Sequence, residues 1–189
     1  MPAVLWSSFL LVALAEMGDK TQLLALTLAS RYRRPWTVLA GVLVATLANH
    51  ALAASVGVGV ARAVSPRVLA LAVALGFFAF GVWTLVPDRP TEPGTRDRWG
   101  PFVTTTVLFF VVEMGDKTQL ATVALGARFH STVLVTVGTT LGMLAANGLA
   151  VFGGAALAGR LPMHYLRWSA AALFWLFGLL ALVPALRGV

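Results

Sequence analysis

Six long apolar stretches, separated by short polar segments, run along the chain. They cover residues 4–30, 35–61, 68–87, 99–127, 131–159 and 168–186. Each is long enough to cross the hydrocarbon core of a bilayer once, which takes about 20 apolar residues in a helix. Their apolar positions do not alternate, and only helices or closed barrels satisfy the backbone in lipid. The pattern therefore predicts an all-α, polytopic membrane protein with six transmembrane helices.

The first and fourth stretches each contain one polar insertion, and the two insertions are identical. Residues 16–23 read Glu-Met-Gly-Asp-Lys-Thr-Gln-Leu, and residues 113–120 repeat that order letter for letter, 97 positions later. The same offset holds without a gap across both halves, so that several glycines, an arginine and a proline recur in register. The chain is therefore predicted to be an internal duplication.

The duplication predicts the domain organisation. Residues 1–87 form one three-helix repeat, residues 99–189 form the second, and the polar segment 88–98 connects them within a single membrane domain. An odd number of spans per repeat forces the two repeats into opposite orientations. Inverted repeats are typical of secondary transporters, whose site lies near the bilayer midplane at the repeat interface.

The distribution of arginines favours one orientation in the membrane. Eight arginines lie on the side of the connector, namely Arg31, Arg33, Arg34, Arg89, Arg96, Arg98, Arg160 and Arg167. The opposite side carries Arg62, Arg67, Arg128 and Arg187. Because cytoplasmic loops are enriched in basic residues, the connector is predicted in the cytoplasm and both termini on the extracytoplasmic side.

Composition narrows the function further. The chain is 59% hydrophobic and 11% charged, whereas soluble domains carry about a quarter charged residues. The net charge of +7 comes from arginines that flank apolar runs, which indicates contact with lipid and not a nucleic-acid face. Cysteine is absent, which excludes disulfides and thiolate ligands. No nucleotide-binding loop is present, so we expect neither ATP-driven pumping nor a bound cofactor.

Charged residues inside the predicted spans are the candidates for function. Four of the seven acidic residues and both lysines lie there: Glu16, Asp19, Glu113, Asp116, Lys20 and Lys117. An ionisable group at the bilayer centre costs about 2.5–3.5 kcal/mol on insertion scales, which marks such residues as functional. On a continuous helix Glu16 and Asp19 would share one face, because residues three apart are neighbours. Gly18 would either allow close approach of another helix or break this one.

Two such motifs, related by a pseudo-twofold axis, would bring the four carboxylates together. Gln22 and Gln119 can extend the polar surface of each motif. Carboxylate and amide oxygens form a hard ligand set, suited to Mg²⁺, Ca²⁺ or Mn²⁺. Four carboxylates and two ammonium groups leave a formal charge of −2, which one divalent cation or two protons would balance. That balance is suggestive of exchange.

The duplicated Glu-x-Gly-Asp-Lys-Thr motif resembles the signature of the Golgi-type manganese/calcium–proton exchangers and their bacterial manganese-exporting relatives, related to the lysine-exporter superfamily. The resemblance covers essentially the whole chain. It implies a non-enzymatic transporter, in a prokaryotic plasma membrane, that exports Mn²⁺ or Ca²⁺ from the cytosol in exchange for protons. It also implies which residues form the cation site: Glu16, Asp19, Glu113 and Asp116 as ligands, with Lys20, Thr21, Lys117 and Thr118 completing the signature.

Other interpretations of these residues remain open. The carboxylates and lysines could form an ionic staple between helices in a structural subunit, or act with His50 as acid and base in an intramembrane enzyme. The threonines and glutamines of the motifs could be ligands or only interhelical hydrogen-bond partners. Asn49, His50 and Asn147, polar residues within otherwise uncharged stretches, are supporting candidates for the site, with packing as the alternative. Oligomeric state does not follow from the sequence.

Overall fold

The structure is a computed structural model that describes residues 1–86, 99–158 and 163–187. Within these ranges the chain forms eight α-helices and no strand. They are α1 (Pro2–Glu16), α2 (Lys20–Tyr32), α3 (Pro35–Ala63), α4 (Pro66–Thr84), α5 (Gly100–Glu113), α6 (Lys117–Phe129), α7 (Thr132–Ala158) and α8 (Met163–Arg187). The predicted connector at 88–98 lies outside the described residues.

The first and fourth apolar stretches are each two helices instead of one. α1 and α2 meet at a bend of 74°, and α5 and α6 are separated by the equivalent residues of the second motif. Gly18 and Gly115 have φ values of 80° and 77°, a left-handed conformation that a helix cannot continue through. Of the two roles predicted for Gly18, the structure has the helix break, so Glu16 and Asp19 do not share one face of a continuous helix.

Four helical segments are long and apolar enough to cross a membrane. They are Pro35–Ala63, Pro66–Thr84, Thr132–Gly154 and His164–Val183. The bent pair α1–α2 passes the same test when taken together, whereas α5 is apolar but shorter. The described part of the chain is thus an all-helical, polytopic membrane protein with four spans, or five when the bent pair counts as one.

Helices of the two halves pack against each other at equivalent positions. α1 packs against α7, α5 against α3, and α4 against α8. A Cβ on Gly41 would lie 2.9 Å from the carbonyl oxygen of Phe102, and one on Gly138 would lie 2.7 Å from that of Leu5. Gly138 is the repeat equivalent of Gly41, and Phe102 is the repeat equivalent of Leu5. Small residues therefore permit the same close helix approach in both halves.

At one end, however, the halves differ. α6 packs closely along α3. A Cβ on Gly57 would overlap the carbonyl oxygen of Val123, and a Cβ on Gly126 would lie 2.5 Å from the carbonyl oxygen of Ala54. Gly154, which is the repeat equivalent of Gly57, has a φ of 64° that kinks α7, and a Cβ there would meet nothing within 4 Å. Among the described residues, the helices are thus packed tightly at Gly57 and are not packed tightly at its repeat equivalent, Gly154.

Candidate cation site

Each motif forms a helix break that places two carboxylates next to each other. α1 ends at Glu16, and Asp19 is the N-cap of α2, where its side chain accepts a hydrogen bond from the Thr21 backbone N–H at 3.4 Å. The backbone N–H of Asp19 donates to the carbonyl of Glu16 at 3.0 Å, and that of Asp116 donates to Glu113 at 3.1 Å. Asp residues are favoured N-caps, so the sequence itself supports the second helix of each pair.

The glutamines of the motifs stabilise the break. The Gly18 N–H donates to Oε1 of Gln22 at 2.9 Å, and the Gly115 N–H donates to Oε1 of Gln119 at 2.6 Å. Gln22 also donates from Nε2 to the carbonyl of Ala146 in α7, at 2.9 Å. Each amide oxygen is therefore engaged by the backbone of its own motif, which is a supporting function. The ligand role of the glutamines stays a prediction.

The threonines orient the glutamates. Thr21 Oγ1 donates to Oε2 of Glu16 at 2.8 Å, and Thr118 Oγ1 donates to Oε2 of Glu113 at 3.0 Å. The second oxygen of each glutamate, Oε1, is buried and has no hydrogen-bond partner among the described residues. Each threonine thus fixes one glutamate oxygen and leaves the other available for a ligand.

The four carboxylates converge in a single cluster. Oxygen atoms of Glu16, Asp19, Glu113 and Asp116 lie within 4.8 Å of one another. All four residues are buried, with at most 4% of their surface exposed. We call this group the carboxylate cluster. Oxygens this close repel one another unless a cation, protons or ammonium groups lie among them.

The lysines form ion pairs that cross between the motifs. Lys20 Nζ lies 2.7 Å from Oδ1 of Asp116, and Lys117 Nζ pairs in the same way with Oδ1 of Asp19. The side chain of Lys117 is 3% exposed, whereas that of Lys20 is 21% exposed. These pairs neutralise the two aspartates in formal charge, and the two glutamates retain a charge of −2 when both are ionised.

The remaining candidates are buried on α3 and α7. Asn49 donates from Nδ2 to the carbonyl of Phe110 at 3.0 Å, one turn before Glu113. Asn147 donates to the carbonyl of Met143, also at 3.0 Å. Both asparagine oxygens and both ring nitrogens of His50 are buried without a hydrogen-bond partner in the described part of the chain. His50 lies outside the carboxylate cluster.

Two further buried threonines lie on the same two helices and were not among the residues predicted from the sequence. Thr46 on α3 and Thr140 on α7 are at most 2% exposed, and their hydroxyls find no partner within the described ranges. Their signal in the sequence is the same as for Asn49 and Asn147, namely a polar residue within a stretch that carries no charge. Buried polar atoms without partners are costly, so water or an ion is expected beside these hydroxyls.

Comparison with known proteins agrees with the duplicated organisation. A family model described as divalent cation/proton antiporter GDT1 matches residues 4–92 and 101–188, one match in each half. A protein of Vibrio cholerae serotype O1, named as a candidate manganese exporter, is 47% identical over 94% of this chain and 89% of its own length. A GDT1-like protein of Synechocystis is 30% identical over 93% of this chain and 94% of its own length. No solved structure matches the chain.

Proposed function

The chain belongs to the GDT1 family of divalent cation/proton antiporters, and on that premise we propose that it exports Mn²⁺, Ca²⁺ or both from the cytosol in exchange for protons. Proteins of this family are transporters and not enzymes. The observation that carries the proposal is the carboxylate cluster, in which each motif contributes two buried acids whose oxygens lie within 4.8 Å.

The cation would bind between the free oxygens of the cluster. Oε1 of Glu16, Oε1 of Glu113 and Oδ2 of Asp116 are buried and have no hydrogen-bond partner in the described residues. Carboxylate oxygens suit both Ca²⁺ and Mn²⁺. The relative that is named for manganese export favours Mn²⁺ as the principal cargo. Thr21 and Thr118 would hold the two glutamates in position.

Protons would occupy the same cluster when the cation leaves. One divalent cation or two protons balance the formal charge of −2, whereas an empty anionic cluster within the bilayer is costly. Only the cation-bound and protonated forms would then reorient across the membrane. Exchange of one for the other follows from that restriction.

We also propose six spans arranged as two inverted repeats. In this arrangement the pair α1–α2 and the pair α5–α6 are each one broken span, and both termini are extracytoplasmic. The equivalent contacts of Gly41 and Gly138 support it, and so do the ion pairs that join the two motifs. Broken helices at membrane depth are tolerated where protein covers the break and are frequent at transporter sites.

The difference between the α3–α6 and α2–α7 contacts supports an alternating mechanism. In the proposed orientation the end of α2 lies in the cytoplasm. The looser packing at Gly154 would then give access from the cytosol, while the contact at Gly57 closes the other side. The opposite state would exchange these two contacts between the repeats.

An ionic staple accounts less well for the same residues. A staple needs only the two lysines and the two aspartates, and it leaves Glu16 and Glu113 buried without a function. Buried ion pairs are also poor sources of stability, because desolvation offsets most of the attraction. A cation site uses all four carboxylates.

Flux into proteoliposomes tests the proposal. We expect the purified protein to move Mn²⁺ or Ca²⁺ when an opposing pH gradient is present, and the rate to fall when an ionophore collapses that gradient. A Glu16→Gln/Glu113→Gln variant should insert and fold but lose flux. It lacks the formal charge of −2 that remains on the glutamates after the lysines have paired with the aspartates. Flux in this variant equal to that of the wild type would move the site elsewhere. Flux that is indifferent to the gradient would exclude exchange.

A further inference from the structure

Two adjoining cavities lie on the flank of the helix bundle, between the end of α3, α4 and α6. Their volumes are about 180 and 230 Å³, and they share a wall formed by Leu69, Val73 and Ala127. We call the two together the lateral groove. None of the residues of the carboxylate cluster lines it. The lateral groove is therefore a separate feature of the fold.

The lateral groove has an apolar body and a basic end. Its lining is apolar apart from Arg128 and His130, which lie at the end of α6. Two further arginines, Arg62 and Arg67, directly follow the lining residues Ala61 and Pro66 in the chain, and both are exposed. Arg128 thus lies at one end of a groove that is otherwise hydrocarbon in character, and Arg62 and Arg67 adjoin its lining in sequence.

No described acidic residue offsets these charges. The four carboxylates within the described ranges all belong to the buried cluster, and the ion pairs found there involve only the two lysines. The basic end therefore lacks an anion from this part of the chain. A phosphate group is the complement that Arg side chains prefer.

The length of the lateral groove matches a lipid. Its lining on α4 extends from Pro66 to Phe80, which is about 21 Å along a helix at a rise of 1.5 Å per residue. One leaflet contributes about half of a hydrocarbon core that is about 30 Å thick. An acyl chain that starts at the basic end would therefore lie within the groove over the full depth of its leaflet.

We propose that the lateral groove binds one anionic phospholipid. An acyl chain lies between α4 and α6, and the phosphate contacts Arg128 and His130, with Arg62 and Arg67 beside it. α6 begins with Lys117, which pairs with Asp19 in the carboxylate cluster. The bound lipid would hold α6 in its position between α3 and α4, and it would thereby support the closed α3–α6 contact.

The chain offers matched controls for both parts of the site. Arg31 is the repeat equivalent of Arg128 and lies over the ring of Tyr32, 5.6 Å from its centroid, at the end of α2. It lines neither cavity. Gly76 lines the groove, and a Cβ there would make an ordinary contact of 3.6 Å with Phe80, whereas a Cβ on Gly59 would meet nothing within 4 Å. Arg31→Gln is thus the control for Arg128→Gln, and Gly59→Leu is the control for Gly76→Leu.

The test measures lipid binding to the delipidated protein in detergent. Phosphatidylglycerol and phosphatidylcholine with identical acyl chains are titrated, bound lipid is counted by native mass spectrometry, and unfolding is followed by tryptophan fluorescence. We expect the wild type to prefer phosphatidylglycerol and to be stabilised by it. Arg128→Gln should weaken that binding roughly five-fold, the contribution of one arginine near an anionic headgroup. Gly76→Leu should reduce the binding of both lipids, and neither control should change it.

Three results would overturn the proposal. Equal binding of the two lipids would remove the charge recognition, and an equal loss in Arg31→Gln would show only a general effect of basic residues. Stabilisation of the same size by glycerol phosphate or inorganic phosphate would indicate an anion site without a lipid. Because Arg128 is exposed, its substitution should fold even if the filled groove of Gly76→Leu does not.

Discussion

Replacing the aspartates one at a time should separate the loss of cation binding from the loss of stability. Asp19→Asn removes the anion that pairs with Lys117, whose side chain is 3% exposed. Asp116→Asn removes the anion that pairs with Lys20, whose side chain is 21% exposed. Removing one member of a buried ion pair costs about 3–5 kcal/mol, and the cost is smaller where the remaining charge is more exposed. Asp19→Asn should therefore cost about 3–5 kcal/mol, and Asp116→Asn should cost measurably less.

Unfolding in detergent, followed by tryptophan fluorescence, measures this difference. A second change, Lys117→Met, removes the buried ammonium group as well and should recover most of the stability lost in Asp19→Asn. The wild type, the single variants Asp19→Asn and Lys117→Met, and the double variant form a double-mutant cycle that isolates the interaction between Asp19 and Lys117. Metal flux should be lost in both single aspartate variants and should stay lost in the double variant, because a ligand carboxylate is missing from each.

Two outcomes would refute this reasoning. Equal destabilisation by Asp19→Asn and Asp116→Asn would mean that the exposure of the lysines does not decide the energetics of the two pairs. Flux in the stabilised Asp19→Asn/Lys117→Met variant would show that Asp19 serves as a counter-ion of Lys117 and not as a cation ligand.

Three further predictions address coupling, packing and topology. Apparent affinity for Mn²⁺ in detergent should rise from about pH 6 to pH 8.5 with measurable proton release, because cation and protons compete for one cluster; a flat profile would exclude such exchange. Gly57→Ala should destabilise the protein by about 1–3 kcal/mol through overlap with Val123, and Gly59→Ala, measured by the same thermal unfolding, should have no such effect. A C-terminal reporter that folds only in the cytoplasm should be inactive, and a strongly active one would reverse the proposed orientation.

The helical architecture was predictable because lipid leaves the backbone few alternatives. The stretches at 35–61 and 68–87 correspond to α3 and α4, which run over Pro35–Ala63 and Pro66–Thr84. Proline at the start of each helix and the polar residues between them mark these limits. The convergence of the four carboxylates was also predictable, since a duplicated motif places equivalent residues around one axis.

The lysine pairing was not predictable from sequence. Lys20 adjoins Asp19 in the chain, yet it pairs with Asp116 of the other motif. Neighbouring residues at a helix start point in different directions, so nearness in sequence did not decide the partner. The packing of the two halves decided it, and no local pattern encodes that packing.

The sequence offered two alternatives at Gly18, a close helix contact and a helix break, and the spacing of the acids did not decide between them. Glu16 and Asp19, three residues apart, fit one face of a continuous helix equally well. Gly18 followed by Asp19 is also the order of a helix-ending glycine and a helix-starting N-cap. The bond from the Gly18 N–H to Gln22 favours the break by occupying a donor that would otherwise be unpaired. The capping interactions at Gly18 and Asp19 therefore end one helix and begin the next.

If that account is correct, the left-handed glycine of the second motif should resist substitution even though there is space for a side chain. A Cβ on Gly115 would meet nothing within 4 Å, but its φ is 77°, so Gly115→Ala should cost about 1–2 kcal/mol through backbone strain alone. Gly148, in the interior of α7, has equal space without that conformation, so Gly148→Ala should stabilise the protein by up to about 1 kcal/mol. Thermal unfolding and Mn²⁺ affinity distinguish the two. Gly115→Ala should weaken binding as well, because the break sets the position of Asp116, and a neutral effect on both measurements would contradict the broken-helix site.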